Sequence, residues 1–153
     1  MIHFNNDEDL EMKYFMFLIT LLSPLSLSAA NLSFQINGLE NDNGQVSFVL
    51  FDEHAKKTFP KEVGFASCST ATQINNKTAV VHCKDVAPGN YAAFAFHDEN
   101  NDGFMGHNWL GLPEEKFGYY ENFHVKFIPP NFDDVSFVIT AQDQNFTISL
   151  QRY

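Results

Sequence analysis

The chain has 153 residues, and 19 acidic against 9 basic side chains give it a net charge of −10. That length suits one domain, and the acidic balance excludes a nucleic-acid binder, which needs a basic face, while fitting a protein that holds cations. At 44% hydrophobic and only 18% charged residues, the composition is that of a globular chain and not a disordered one.

The first segment reads as an address. Residues 1–11 carry Asp7, Glu8, Asp9 and Glu11, where an export signal wants positive charge. Met12-Lys13 is the better start, so residues 1–11 are expected to be an upstream extension. Residues 14–27 are an apolar run broken only by Thr20, Ser23, Pro24 and Ser26. Ser28-Ala29-Ala30 then places small residues before a cut after Ala30, the layout of a secretory signal peptide over residues 12–30. The run falls short of the ~20 apolar residues that a span needs, so no membrane span is expected once the signal is removed. The expected product is an extracytoplasmic domain, periplasmic or secreted, over residues 31–153.

The rest reads as short strands. Residues 31–39 alternate Leu32, Phe34 and Ile36 with Ser33, Gln35 and Asn37, a period of two with one wet face. Asn43-Gly44 is a strong turn signal before an apolar strand at 45–51. A polar excursion at 52–64 leads to two strands, 65–74 and 78–83, around Asn75-Asn76-Lys77. Cys68 and Cys83 fall in these strands, and an even pair outside the cytoplasm reads as a disulfide. Pro88-Gly89 throws the chain into a strand at 91–97, and Tyr91 stands where a hydroxyl can anchor such a corner. Residues 98–130 hold few clear strands beyond a candidate at 122–127. Residues 134–140 and 145–150 close the chain as strands. The pattern predicts an all-β fold: a single immunoglobulin-like or transthyretin-like antiparallel β-sandwich of about seven strands, with one long functional loop.

The chemistry concentrates after His97. Asp98-Glu99-Asn100-Asn101-Asp102-Gly103 matches the opening of a calcium loop, in which oxygens at alternate positions converge on a hard cation and Gly permits the turn. Asp98, Asn100 and Asp102 are the side-chain ligands, Phe104 offers its carbonyl, and Glu115 is a candidate to complete the shell. The twelfth position is Trp109 instead of a bidentate Glu, and a strand leads into the loop, so this is not an EF-hand. Calcium is the expected cofactor, with affinity weakened toward ~10⁻⁴–10⁻³ M. The competing reading is an ordinary Asx-rich turn without metal.

Two further readings stay open. Trp109, Tyr119 and Tyr120, with His97, could form a glycan- or peptide-binding face, or the rings could fold back as a satellite core. His97, Asp98 and Glu115 could serve a metal-dependent hydrolase if they met in a cleft, though no nucleophile stands in a recognisable setting. The partners to expect are a glycan or protein of the cell envelope.

Pro88-Gly89-Asn90-Tyr91-Ala92, then His97-Asp98-Glu99-Asn100, then Gly111-Leu112-Pro113 with Glu115 and Gly118, then Pro130 with Phe132-Asp133-Asp134, resemble the exported bacterial family catalogued as domain of unknown function 2141. The resemblance runs from about residue 32 to 150. It implies an exported β-sandwich without an established activity. The family pattern carries an Asp three residues past the loop Gly, where this chain has Gly106, and a Ser where this chain has Tyr120. The Pro-Gly-x-Tyr corner is also similar to transthyretin-like and carboxypeptidase-regulatory-type sandwiches, which commonly act as accessory modules.

Overall fold

The computed structural model describes residues 28–60, 66–123 and 128–153. The expected extension at 1–11 and most of the expected signal at 12–30 lie outside these residues, as does most of the candidate strand at 122–127. Among the described residues, no helix is long and apolar enough to cross a membrane.

The chain is all-β. The described residues form eight strands: β1 (Ala30–Asn37), β2 (Gln45–Asp52), β3 (Ala66–Gln73), β4 (Ala79–Val86), β5 (Gly89–Asp98), β6 (Phe117–Tyr119), β7 (Ser136–Ile139) and β8 (Gln144–Ser149). The strand that the pattern does not predict is β6, whose three residues are too few to show a period. One sheet has the order β4-β1-β8; the other runs β3-β2-β5-β6, with β7 also on β5. Because β2 occupies one edge of β5 along Tyr91 to Asp98, β6 and β7 sit end to end on the other edge. The expectation of a wholly antiparallel arrangement needs correction. β1 and β8 run parallel, from Leu32 opposite Gln144 to Asn37 opposite Ser149. A parallel neighbour needs a long crossover, and here everything between the first strand and the last supplies it.

The period of two puts one face of each strand inward. Leu32, Phe34 and Ile36 of β1 meet Val46, Phe48 and Leu50 of β2 and Ala93 and Ala95 of β5 in one core. Phe34 and Phe48 touch across the sheets, with ring centroids 4.6 Å apart. A disulfide between Cys68 and Cys83 ties β3 of one sheet to β4 of the other. The Tyr91 hydroxyl donates to the Ala87 carbonyl at 2.9 Å and fixes the Pro88-Gly89 corner. Burial pushes this phenol's pKa up, and the nearby Asp52 carboxylate adds to the shift.

β5 is buried on both faces. Ala92 and Phe96 on its outer face pack with Val49, Phe51, Phe117, Tyr119, Phe132 and Val135 in a second cluster. The aromatic side chains of β6, with Phe132 and Val135, therefore cover the outer face of the larger sheet. This layer brings the chain back beside the end of β5, where the candidate loop begins.

Candidate functional site

His97 and Asp98 are the last residues of β5, and successive strand residues point to opposite faces. His97 turns to the core side and Asp98 to the outer side; both are fully buried. His97 Nε2 lies 2.8 Å from the Asn43 carbonyl oxygen, which fixes the proton on Nε2. Nδ1 is buried without a hydrogen-bond partner and faces Glu99 Oε1 at 3.6 Å. Two acceptors therefore face one another at the root of the loop whenever the ring is neutral.

Asp98 carries its burial by accepting three hydrogen bonds. Its Oδ2 accepts from Gln45 Nε2 at 2.8 Å and from the Gly103 N–H at 3.0 Å, and its Oδ1 accepts from the Asp102 N–H at 3.1 Å. The Asp102 N–H also donates to Asn100 Oδ1 at 3.1 Å. Asn100 Nδ2 donates to Asp102 Oδ2 at 2.7 Å, and Asp102 Oδ1 accepts from the Phe104 N–H at 2.8 Å. Asn101 and Gly103 take positive φ, 60° and 79°, to let the chain wind around these side chains. The loop thus brings Asp98, Asn100 and Asp102 together, with Phe104 directly after them.

Glu115 joins the two limbs of the loop in another way. Its Oε1 accepts from the Glu99 N–H at 3.2 Å and its Oε2 from the Gly106 N–H at 3.0 Å. Both oxygens point at backbone donors. Among the described residues, no group of three or more His, Cys, Asp or Glu side chains is placed to hold a metal ion. The loop's side-chain oxygens are those of two carboxylates, Asp98 and Asp102, and one amide, Asn100.

The aromatic candidates separate. Tyr119 is buried in the second core, which pushes its phenol pKa up strongly. Tyr120 packs on Phe137 and Phe146, with centroids at 4.4 Å and 5.2 Å. The pairing of β6 with β5 folds Tyr119 onto the sheet, while Tyr120 is half-buried. Trp109 is 91% exposed. It tips a small hairpin closed by Glu114 N–H to Gly106 O and Asn108 N–H to Leu112 O, each 2.9 Å. Asn108 Oδ1 clasps the tip through the Leu110 and Leu112 N–H groups at 2.9 and 3.1 Å. Of the hydrolase trio, His97 and Asp98 are sealed from solvent. A cavity of about 730 Å³ lies instead by Asp52, Ser67, Asp85 and Tyr91, at the other end of β5.

Residue patterns alone miss Gln45, Asn43 and Asn108. Gln45 follows the Asn-Gly turn, but its role depends on the register that sets it opposite Asp98. Asn108 carried a local signal, since Asx residues two before a Gly-containing turn commonly clasp its backbone.

A family model described as an uncharacterized protein conserved in bacteria (DUF2141) matches residues 34–147. No curated protein and no solved structure matches the chain.

Proposed function

The chain belongs to the DUF2141 family of proteins conserved in bacteria, and from that premise we propose that it is an exported, non-enzymatic β-sandwich that binds calcium through its 98–103 loop. The sandwich is of the transthyretin-like or immunoglobulin-like kind, a reading supported by two sheets around a shared core and by the Tyr91 corner. Calcium is supported by one observation above others. Side chains at alternate positions turn toward each other around the Asp102 N–H instead of fanning into solvent. Asp98 and Asp102 are two carboxylates of one six-residue loop, and a divalent cation would neutralise both while taking a lone pair from each. Asp98, with three of its roughly four lone-pair sites in use, keeps one to offer.

Thermal unfolding with and without calcium tests the reading. At a calcium concentration ten- to a hundredfold above Kd, binding adds about 1.4–2.7 kcal/mol. A domain of this size should then melt about 5–10 °C higher. Asp102→Asn removes one carboxylate from the loop and should remove most of the rise. A melting temperature indifferent to calcium ends the proposal. Export rests on the 12–30 segment, and N-terminal sequencing of protein recovered outside the cytoplasm should read Asn31 first.

A further inference from the structure

β3 and β4 are consecutive strands joined by a tight turn. Asn75 and Thr78 bond each other at 2.9 and 3.2 Å, and Asn76 and Lys77 between them take positive φ, 51° and 57°. A two-residue turn of this kind starts a hairpin ladder. Here the ladder stops at its first rung. β3 pairs with β2 and β4 with β1, so the two strands become facing edges of different sheets. Beyond the turn, the bonds that join them among the described residues are Thr72 Oγ1 to the Val80 carbonyl, at 3.3 Å, and the Cys68–Cys83 disulfide.

The free edge of β3 lacks the usual protection. Edge strands carry Lys, Pro or bulges that discourage another strand from pairing. β3 has eight residues with no charge and no Pro, and its register with β2 is regular from Cys68 to Gln73. β4 carries His82, Lys84 and Asp85. In a chain of net charge −10, copies repel over most of their surface. An uncharged strand of Ser, Thr and Ala, laid antiparallel on its own copy, meets no like charge. What protects this edge is position. The Cα atoms of Cys68 and Cys83 are 6.0 Å apart, well inside the ~10 Å between packed sheets. The disulfide pinches β4 against the place, ~4.8 Å from β3, that a new neighbour would take.

We propose that the β3 edge is a pairing surface for a second copy of this chain, and that the Cys68–Cys83 disulfide keeps it shut. The occupant is β3 of the copy, antiparallel across a two-fold axis, so that the larger sheets of two molecules become one. Opening needs a thiol reductant. Cys68 is half-buried and Cys83 is 1% exposed, so Cys68 Sγ is the accessible sulfur. One thiolate of an external dithiol bonds to Cys68 Sγ, and Cys83 Sγ leaves as a thiolate and takes up a proton. The second thiol of the reagent then displaces Cys68, which is protonated in turn. The protein gains two thiols and the reagent becomes a disulfide.

Sedimentation of the oxidised and the dithiothreitol-reduced protein over a concentration series tests it. The oxidised protein should stay monomeric, and the reduced protein should double in mass as concentration rises. Amide exchange at Ala66–Gln73 should slow over the same range. The double variant Cys68→Ser, Cys83→Ser should pair without reductant. Ser69 is exposed near the middle of β3, so Ser69→Lys or Ser69→Glu places like charges close together in the pair. Each variant alone, reduced, should remain monomeric, and an equal mixture of the two should pair. A reduced protein that stays folded and monomeric overturns the inference. So does reduction that unfolds the chain, which would leave the disulfide a staple of the fold alone. Association that the Ser69 variants leave unchanged, or that grows past the dimer, places the contact elsewhere and overturns it as well.

Discussion

Gly44 sits at φ +70° against the backbone of Asp98 and Glu99, where any Cβ would overlap the Asp98 carbonyl oxygen. Both the left-handed conformation and the contact require glycine. Gly44→Ala should therefore cost about 2–4 kcal/mol, seen as a urea midpoint about 1–2 M lower at unchanged slope. A midpoint that stays put would mean the two loops do not press together. Glu40 joins the same end of the molecule to the C-terminus. Its carboxylate takes Arg152 Nη2 at 2.6 Å and Nε at 2.9 Å, a two-pronged pair, with Lys116 Nζ at 3.5 Å. The Arg152 hydrogen bond, chiefly, lowers the Glu40 pKa from 4.5 to about 2. A depressed folded-state value means that the unfolded chain takes the proton first. The contribution is thus complete above pH 4.5 and disappears as pH falls through about 2. Glu40→Gln should flatten the acid limb of the melting-temperature profile in that window. Because the pair is solvent-exposed, added salt should narrow the difference. Parallel profiles for the two proteins would remove the claim.

At the scale of elements, what was legible depended on how local the cause is. β1 declared itself because Leu32, Phe34 and Ile36 alternate, and the loop did so because Asp98, Asn100, Asp102 and Gly103 lie within six residues. Partners across the sheet are set by register, which no short window contains. Hence Gln45 opposite Asp98 and the parallel β1–β8 pair emerge only in three dimensions. Tyr119 and Trp109 are equally aromatic, and pairing with β5 alone buries the first. The cysteines were legible as a pair, and their place shows what they do. With Cys68 on β3 and Cys83 on β4, a bond spanning 15 positions links the edges of two different sheets. In the chain-entropy account a loop of that length is worth about 3 kcal/mol. The double variant Cys68→Ser, Cys83→Ser should keep its far-UV spectrum and lose about that much in urea unfolding. A stability equal to the parent's would show that the sheets hold their edges without the link.

The whole molecule is a two-sheet core with an aromatic layer added to the outside, and the two parts need not be equally stable. The inner core draws on β1, β2, β4, β5 and β8, elements that pair along most of their length. The outer layer leans on a three-residue strand and on ring contacts such as Phe59 with Phe51 at 5.1 Å and with Phe132 at 5.8 Å. A short backbone ladder favours local opening, and dense aromatic contact opposes it. The candidate loop hangs between the two, anchored to the core through His97 and Gln45 and to the outer layer through Lys116, whose carbonyl accepts from the His97 N–H at 2.8 Å. Phe132 is buried among these rings, and its loss should cost about 3–5 kcal/mol if the layer and core unfold together. If the layer is a separate unit, Phe132→Ala should instead speed amide exchange at Phe117–Tyr119 while β1, β2 and β7 keep their protection. Phe34→Ala should speed exchange everywhere, since Phe34 joins the two sheets. Hydrogen exchange read strand by strand distinguishes these outcomes. Uniform acceleration in both variants would make the molecule one cooperative body, and the loop's order would then follow the core alone.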